Sequence, residues 1–269
     1  MMVFLVAMIV VSCSNGNNPI DEDDTNETIF LNCEPVFDDG NYFTNYEEIL
    51  DTTGLKLYPF VPFTEEEWKY SSYFDYKLPR RQIPEDFLRS MSTKALFYQF
   101  VYTDLSSDMS LWTSKQYGFE AVTIRLNMLP ELLNRPDAGH VLLELLQKLD
   151  PSILGSDLSD CTWWDYCLQI IGSQNEVINN MTNEDICGYI HHQLRYYDIR
   201  RSLDNYNIGS LSSLLFGLGN VMIRYEFEPF IQTLKRYPAT NELIWDTQYI
   251  NEPYASQVIE YVKQFIKAE

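Results

Sequence analysis

The sequence predicts an all-α protein: an irregular α-superhelix or solenoid-like array of helical hairpins, preceded by an irregular N-terminal segment. Three observations predict it. From Pro84 onward, apolar residues recur at three- and four-residue spacing, the period of an amphipathic helix. Capping residues and prolines punctuate these runs at short intervals. No stretch from residue 84 onward alternates at period two, as a half-buried strand would.

The elements follow in chain order. Residues 29–83 have little helical period and contain Pro35, Pro59, Pro62 and Pro79. Thr64-Glu65-Glu66-Glu67 fits a capping box and predicts a short helix through Trp68. A strand around Leu55–Val61 is allowed but limited by the prolines. Pro84 suits a first helical position, with Glu85 and Asp86 near the positive end of the helix dipole. Ser92 is placed to cap a helix over Thr93–Tyr102. Phe119–Leu133 reads as one helix with Val122, Leu126, Leu129 and Leu133 on a stripe. Asn134-Arg135-Pro136 breaks the chain, and Asp137–Leu149 repeats the pattern until Asp150-Pro151 stops it. Further helices are read at Thr162–Ile171, Asn183–Arg200 (capped by Thr182), Leu211–Phe227, Glu228–Tyr237, Asn241–Trp245 and Pro253–Lys267. Short connections between such helices favour stacked hairpins, although no repeat of fixed length is visible.

The amino terminus suggests an address. The run Met1–Val11 is apolar, and it leads into Val10-Val11-Ser12-Cys13-Ser14-Asn15. This resembles a bacterial lipobox, in which a short apolar segment and a small residue precede a cysteine. The resemblance implies diacylation of the Cys13 thiol, cleavage before it, and acylation of the new amino terminus. Eleven apolar residues are too few to span a bilayer, which takes about 20. Met1-Met2 supply no basic n-region, so the reading allows a start codon upstream. Ser14–Thr28 is polar and acidic, too poor in apolar residues to order itself, and is expected to be a flexible tether. The expected organisation is a signal peptide over 1–12, a lipidated Cys13 and tether over 13–28, an irregular segment over 29–83 packing on the body, and a helical domain over 84–269.

Two segments carry a family resemblance. Ile83–Leu96 (IPEDFLRSMSTKAL) is one, and Gly118–Val122 through Leu133–Gly139 (LNRPDAG) is the other. They resemble a group of exported lipoproteins of Bacteroidetes-type bacteria, across roughly residues 80–150. The resemblance implies export and an all-α body and carries no catalytic residue over. Ser14 directly after Cys13, by analogy with enteric sorting, implies the outer membrane and leaves the face of display open.

Charge excludes some partners. The chain carries a formal −20 at pH 7, and the tether acids Asp21, Glu22, Asp23, Asp24 and Glu27 leave about −15 on the rest. Such a body repels phosphate backbones, so nucleic acid is not an expected partner. It also repels anionic headgroups, so membrane affinity must come from lipid on Cys13. Beyond Cys13 the cysteines are Cys33, Cys161, Cys167 and Cys187. Four exported cysteines permit two disulfides in three connectivities, or else buried thiols that pack as small apolar groups. If Cys161 and Cys167 share one helix they stand roughly 9 Å apart, beyond the roughly 7 Å that a bridge tolerates.

Candidate sites are few. Trp163, Trp164 and Tyr166 belong to a large aromatic complement of 19 Tyr, 15 Phe and 5 Trp, and their flat faces suit a sugar ring as well as a protein partner. Adjacent aromatics on a helix diverge by about 100°, so most are expected to serve the core. His191-His192 with Cys187 has the ligand types of a zinc site, but its spacing fits no knuckle, and no metal is expected. Gly217-Leu218-Gly219 lies in an apolar helix pattern and is expected to mark close packing or a kink. Carboxylates such as Glu226/Glu228, Glu184/Asp185 and Glu65–Glu67 arise by chance in so acidic a chain. No esterase elbow, zinc-protease helix, phosphate loop or Ca²⁺ loop is present, and no cofactor is implied. The reading favoured is a non-enzymatic, lipid-anchored envelope protein whose helical array binds another protein. A glycan-binding lipoprotein using Trp163, Trp164 and Tyr166 is the alternative, followed by a hydrolase with carboxylate catalysis.

Overall fold

A computed structural model describes residues 31, 33, 49–150, 159–203, 211–236 and 251–266. The expectations for the signal peptide, Cys13, the tether and the helix at Asn241–Trp245 lie outside these residues. Among them the protein is all-α, with no strand. The α-helices are α1 (Glu65–Tyr70), α2 (Glu85–Ser90), α3 (Thr93–Val101), α4 (Lys115–Thr123), α5 (Met128–Leu133) and α6 (Ala138–Leu146). They continue with α7 (Ser159–Gly172), α8 (Asn175–Asn179), α9 (Asn183–Arg201), α10 (Ser212–Arg224), α11 (Glu228–Arg236) and α12 (Glu252–Phe265). A π-helical turn (Tyr73–Lys77) and two 3-10 helices (Pro79–Arg81 and Asp104–Leu111) complete the set.

The caps form where the sequence places them. Thr64 and Glu67 exchange the two bonds of a capping box at α1, and Thr182 and Asp185 do the same at α9. The Ser92 hydroxyl accepts from the Ala95 N–H at α3. The irregular segment at Leu55–Val61 forms no ladder. Pro59 and Pro62 have no N–H to give, and the Tyr58 N–H donates to the Gln99 side-chain oxygen at 2.6 Å instead.

The single helix expected over Phe119–Leu133 is two helices. A continuous helix would place Pro130 in its interior, where the ring and the missing N–H break the ladder. The chain turns at residues 124–127, and side-chain amides take up the released backbone groups. Gln82 Nε2 donates to the Arg125 carbonyl at 2.8 Å. Asn127 brackets Ile83, accepting from its N–H at 3.1 Å and donating to its carbonyl at 2.7 Å. Val122, Leu126, Leu129 and Leu133 are nevertheless all buried, because the turn preserves their common face.

The core is built around α10. It packs on α7, α8, α9, α11 and α12. A linear solenoid would confine each helix to its sequence neighbours, whereas α10 also meets α7 and α12. Gly217 permits the close approach of α9 to α10: a Cβ there would overlap the Tyr189 hydroxyl of α9. The Asn220 side chain of α10 donates to the Ser173 carbonyl at 2.9 Å, closing the C-terminal end of α7.

The N-terminal segment is stapled to this core. A disulfide joins Cys33 to Cys187 on α9, with Cα atoms 5.2 Å apart and a sequence separation of 154. Two residues earlier, the Leu31 N–H donates to the Phe265 carbonyl at the end of α12, at 3.0 Å. Cys161 and Cys167 both lie on α7, which rules out a bridge between them. Cys167 is a buried free thiol whose pKa burial drives well above the ordinary value. No helix among the described residues is long and apolar enough to cross a membrane.

The staple closes a long loop, so its loss acts mainly through the unfolded chain. Cys33→Ala is expected to cost about 3–5 kcal/mol in urea denaturation. A non-reducing mass measurement of the parent should show the bridged pair. Equal stability of parent and variant, or free thiols at both positions, would contradict the staple.

Candidate functional site

All ten exposed large apolar side chains among the described residues fall between Val61 and Ile124. Ile124 is 84 % exposed and Leu111 79 %, while Trp68, Tyr70, Phe74 and Trp112 add aromatic surface. Apolar surface concentrated in one part of a chain marks contact with another molecule more strongly than scattered residues do.

Cations are layered onto these rings. Lys77 Nζ lies 4.6 Å from the Trp68 ring centre. The Arg80 guanidinium lies 4.9 Å from both the Phe63 and Tyr76 rings, and that of Arg81 lies 3.9 Å from Phe63. Arg125 reaches Tyr73 and Phe74 at 5.4 and 5.8 Å. Such contacts hold the charges in place without removing the rings from the surface. Acids complete the layer. Glu67 accepts from Tyr76 and from Arg80, and these bonds, the Tyr76 one foremost, hold its carboxyl down to about 2. The Tyr73 hydroxyl donates to Asp108 at 2.5 Å, and burial with that bond pushes it up to about 12.

The three aromatics singled out on α7 part company. Trp164 is 1 % exposed, with its ring 4.7 Å from Tyr98 and 5.7 Å from Tyr102, both edge-on. Trp163 is partly exposed and stacks on Tyr166, with ring centres 5.4 Å apart and planes at 24°. Trp163 and Trp164 nevertheless border one concavity of about 320 Å³, because the chain leaving α3 wraps beneath the start of α7. In the sequence Tyr102 reads only as the last residue of the helix Thr93–Tyr102, with nothing to place it beside α7.

The opposite side of α7 meets α9 in a polar seam. Gln169 and Gln193 pair reciprocally, at 3.1 and 2.7 Å, with both side chains buried. Gln169 Nε2 also reaches Asp165 at 3.3 Å. Burial raises the Asp165 carboxyl to about 6, against the pull of the Tyr196 hydroxyl, the Gln169 amide and Arg200. His192, 0 % exposed, is lowered to about 3, by burial first and Arg195 second, and is neutral at physiological pH.

The other candidates are committed to structure. Cys187 spends its sulfur in the disulfide, so it does not join His191 as a ligand pair, and His191 Nε2 instead lies 3.4 Å from the Cys33 carbonyl. Asp185 serves the α9 cap and contacts His140 of α6 at 2.9 Å. No cluster of three metal-type ligands occurs among the described residues. Comparison with protein families, with curated proteins and with solved structures finds no match to this chain.

The Asp165 seam has a pH signature. Its folded-state value of about 6 lies above the ordinary 3.8, so the native state binds the proton more tightly than the unfolded chain. The stabilisation is fully present below about pH 4 and is lost as pH rises through about 6. Asp165→Asn removes the half-buried charge. It is expected to melt at higher temperature than the parent at pH 8, with the gap closing at about pH 4. Melting curves at the two pH values check this, and a gap independent of pH would contradict it.

Proposed function

We propose that this chain is a lipid-anchored cell-envelope protein, acylated at Cys13, whose helical body is a non-catalytic module that binds another protein. The observation that carries the binding part is the confinement of all ten exposed large apolar side chains to residues 61–124. Trp, Tyr and Arg are the residues that dominate protein–protein hot spots, and here they occur together with their cations already positioned. The Cys33–Cys187 disulfide supports export, because such bonds persist in oxidising compartments. The lipobox around Cys13 and the acidic tether support the anchor. The outer membrane is the proposed address.

Two measurements test the parts separately. Mass spectrometry of the mature amino terminus should find an acylated Cys13, and Cys13→Ala should move the protein from the membrane to the soluble fraction. An unmodified Met1 terminus, or unchanged fractionation, would overturn the anchor. For the partner, crosslinked capture from the envelope with the full chain should recover a discrete protein. Leu111→Asp and Ile124→Asp alter exposed side chains and leave the core intact. Each should weaken capture about tenfold with an unchanged melting temperature. Capture indifferent to both substitutions would overturn the binding face.

A further inference from the structure

We propose that the concavity between the end of α3 and the start of α7 is a binding site for a neutral saccharide. It shares Tyr102 with the exposed apolar set of residues 61–124 but is closed on its other side by Trp163 and Trp164 of α7, and its chemistry is specific. Its aromatic walls are Tyr102, which is 49 % exposed, and Trp163, whose ring is backed by Tyr166. Stacking on Tyr166 fixes the indole plane, and edge-on contact with Trp164 fixes Tyr102. Rigid aromatic faces suit the C–H faces of a sugar ring.

The polar groups point to the same class. The Ser106 hydroxyl donates to the Thr103 carbonyl at 2.6 Å, and the Ser107 hydroxyl donates to the Asp104 carbonyl at 3.0 Å. Their hydrogens are spent, so towards a ligand these oxygens only accept. Asp104 also only accepts, and its carboxylate is already gripped by Arg81 through two bonds of 2.7 and 2.6 Å. Trp164 lines the concavity but is 1 % exposed, and its Nε1–H is enclosed in the interior. The wall therefore offers several acceptors, and its one carboxylate is already paired with Arg81. A polyol supplies hydroxyl donors for these acceptors. An apolar ligand would cover these acceptor oxygens without offering them a hydrogen. An organic cation would meet a carboxylate already neutralised by Arg81, and an anion would meet acceptor oxygens.

The test uses the full chain against a panel of neutral mono- and oligosaccharides, with calorimetry of the best binder. A neutral saccharide is expected to bind. Binding should fall about tenfold in Trp163→Ala and in Tyr102→Ala, and should be unchanged in Trp112→Ala. Tyr102 is at the surface, so its variant keeps the test valid if Trp163→Ala fails to fold. Absence of binding to the whole panel would overturn the proposal. So would saccharide binding that survives both substitutions, or binding of tetramethylammonium in place of any saccharide. Leu111→Asp and Ile124→Asp, which probe the protein-binding face, should leave saccharide binding intact, so the two readings fail independently.

Discussion

The polar seam between α7 and α9 is the constraint that fixes the register of a core built around α10. Two helices carry Gln169, Gln193 and Tyr196 into an apolar interior, with the half-buried Asp165 at its edge, and an unpaired amide there costs about 1–3 kcal/mol. The reciprocal Gln169–Gln193 pair satisfies both amides only at one register of the two helices. A one-turn slip would separate them. The seam thus selects a single packing where apolar side chains alone would tolerate several. The raised Asp165 carboxyl is the energetic trace of this arrangement.

The remaining helices arrange themselves on that pair. Gly217 lets α10 approach the Tyr189 hydroxyl, and Asn220 ties α10 to the end of α7. The disulfide then fastens the N-terminal segment to α9, and Leu31 fastens it to α12. Chain entry and chain end are held at the same core. In the proposed function, this gives the tether a rigid point of departure about twenty residues after the acylated cysteine.

The aromatic face and the saccharide concavity depend on irregular backbone. The π-helical turn, the 3-10 helices and the extended stretch before α1 leave rings exposed that a regular helix would turn into a core. Cations stacked on these rings limit their exposure to water while keeping them accessible. Residues 61–124 therefore do both jobs: α3 is buried in the core beside α7, while the segments flanking it carry the exposed rings.

The sequence by itself determined the all-α class, most helix starts and the buried stripe from Val122 to Leu133. These rest on local effects: caps, prolines and the 3.6-residue period act within a few residues of themselves. It did not reveal the break between α4 and α5, because the side chains that stabilise it, Gln82 and Asn127, lie 45 residues apart in the chain. The 3-10 helix Asp104–Leu111 and the short α8 carried no periodic apolar signal either. Trp163 and Trp164 were legible as aromatic candidates, yet only the tertiary structure divided them between rim and core and set Tyr102 beside them. The pairing of Cys33 with Cys187 was equally invisible, since four cysteines allow three connectivities and distance in space alone chooses among them. Local propensity writes elements into a sequence; which distant side chains meet is decided by packing, and the candidate sites lie where they meet.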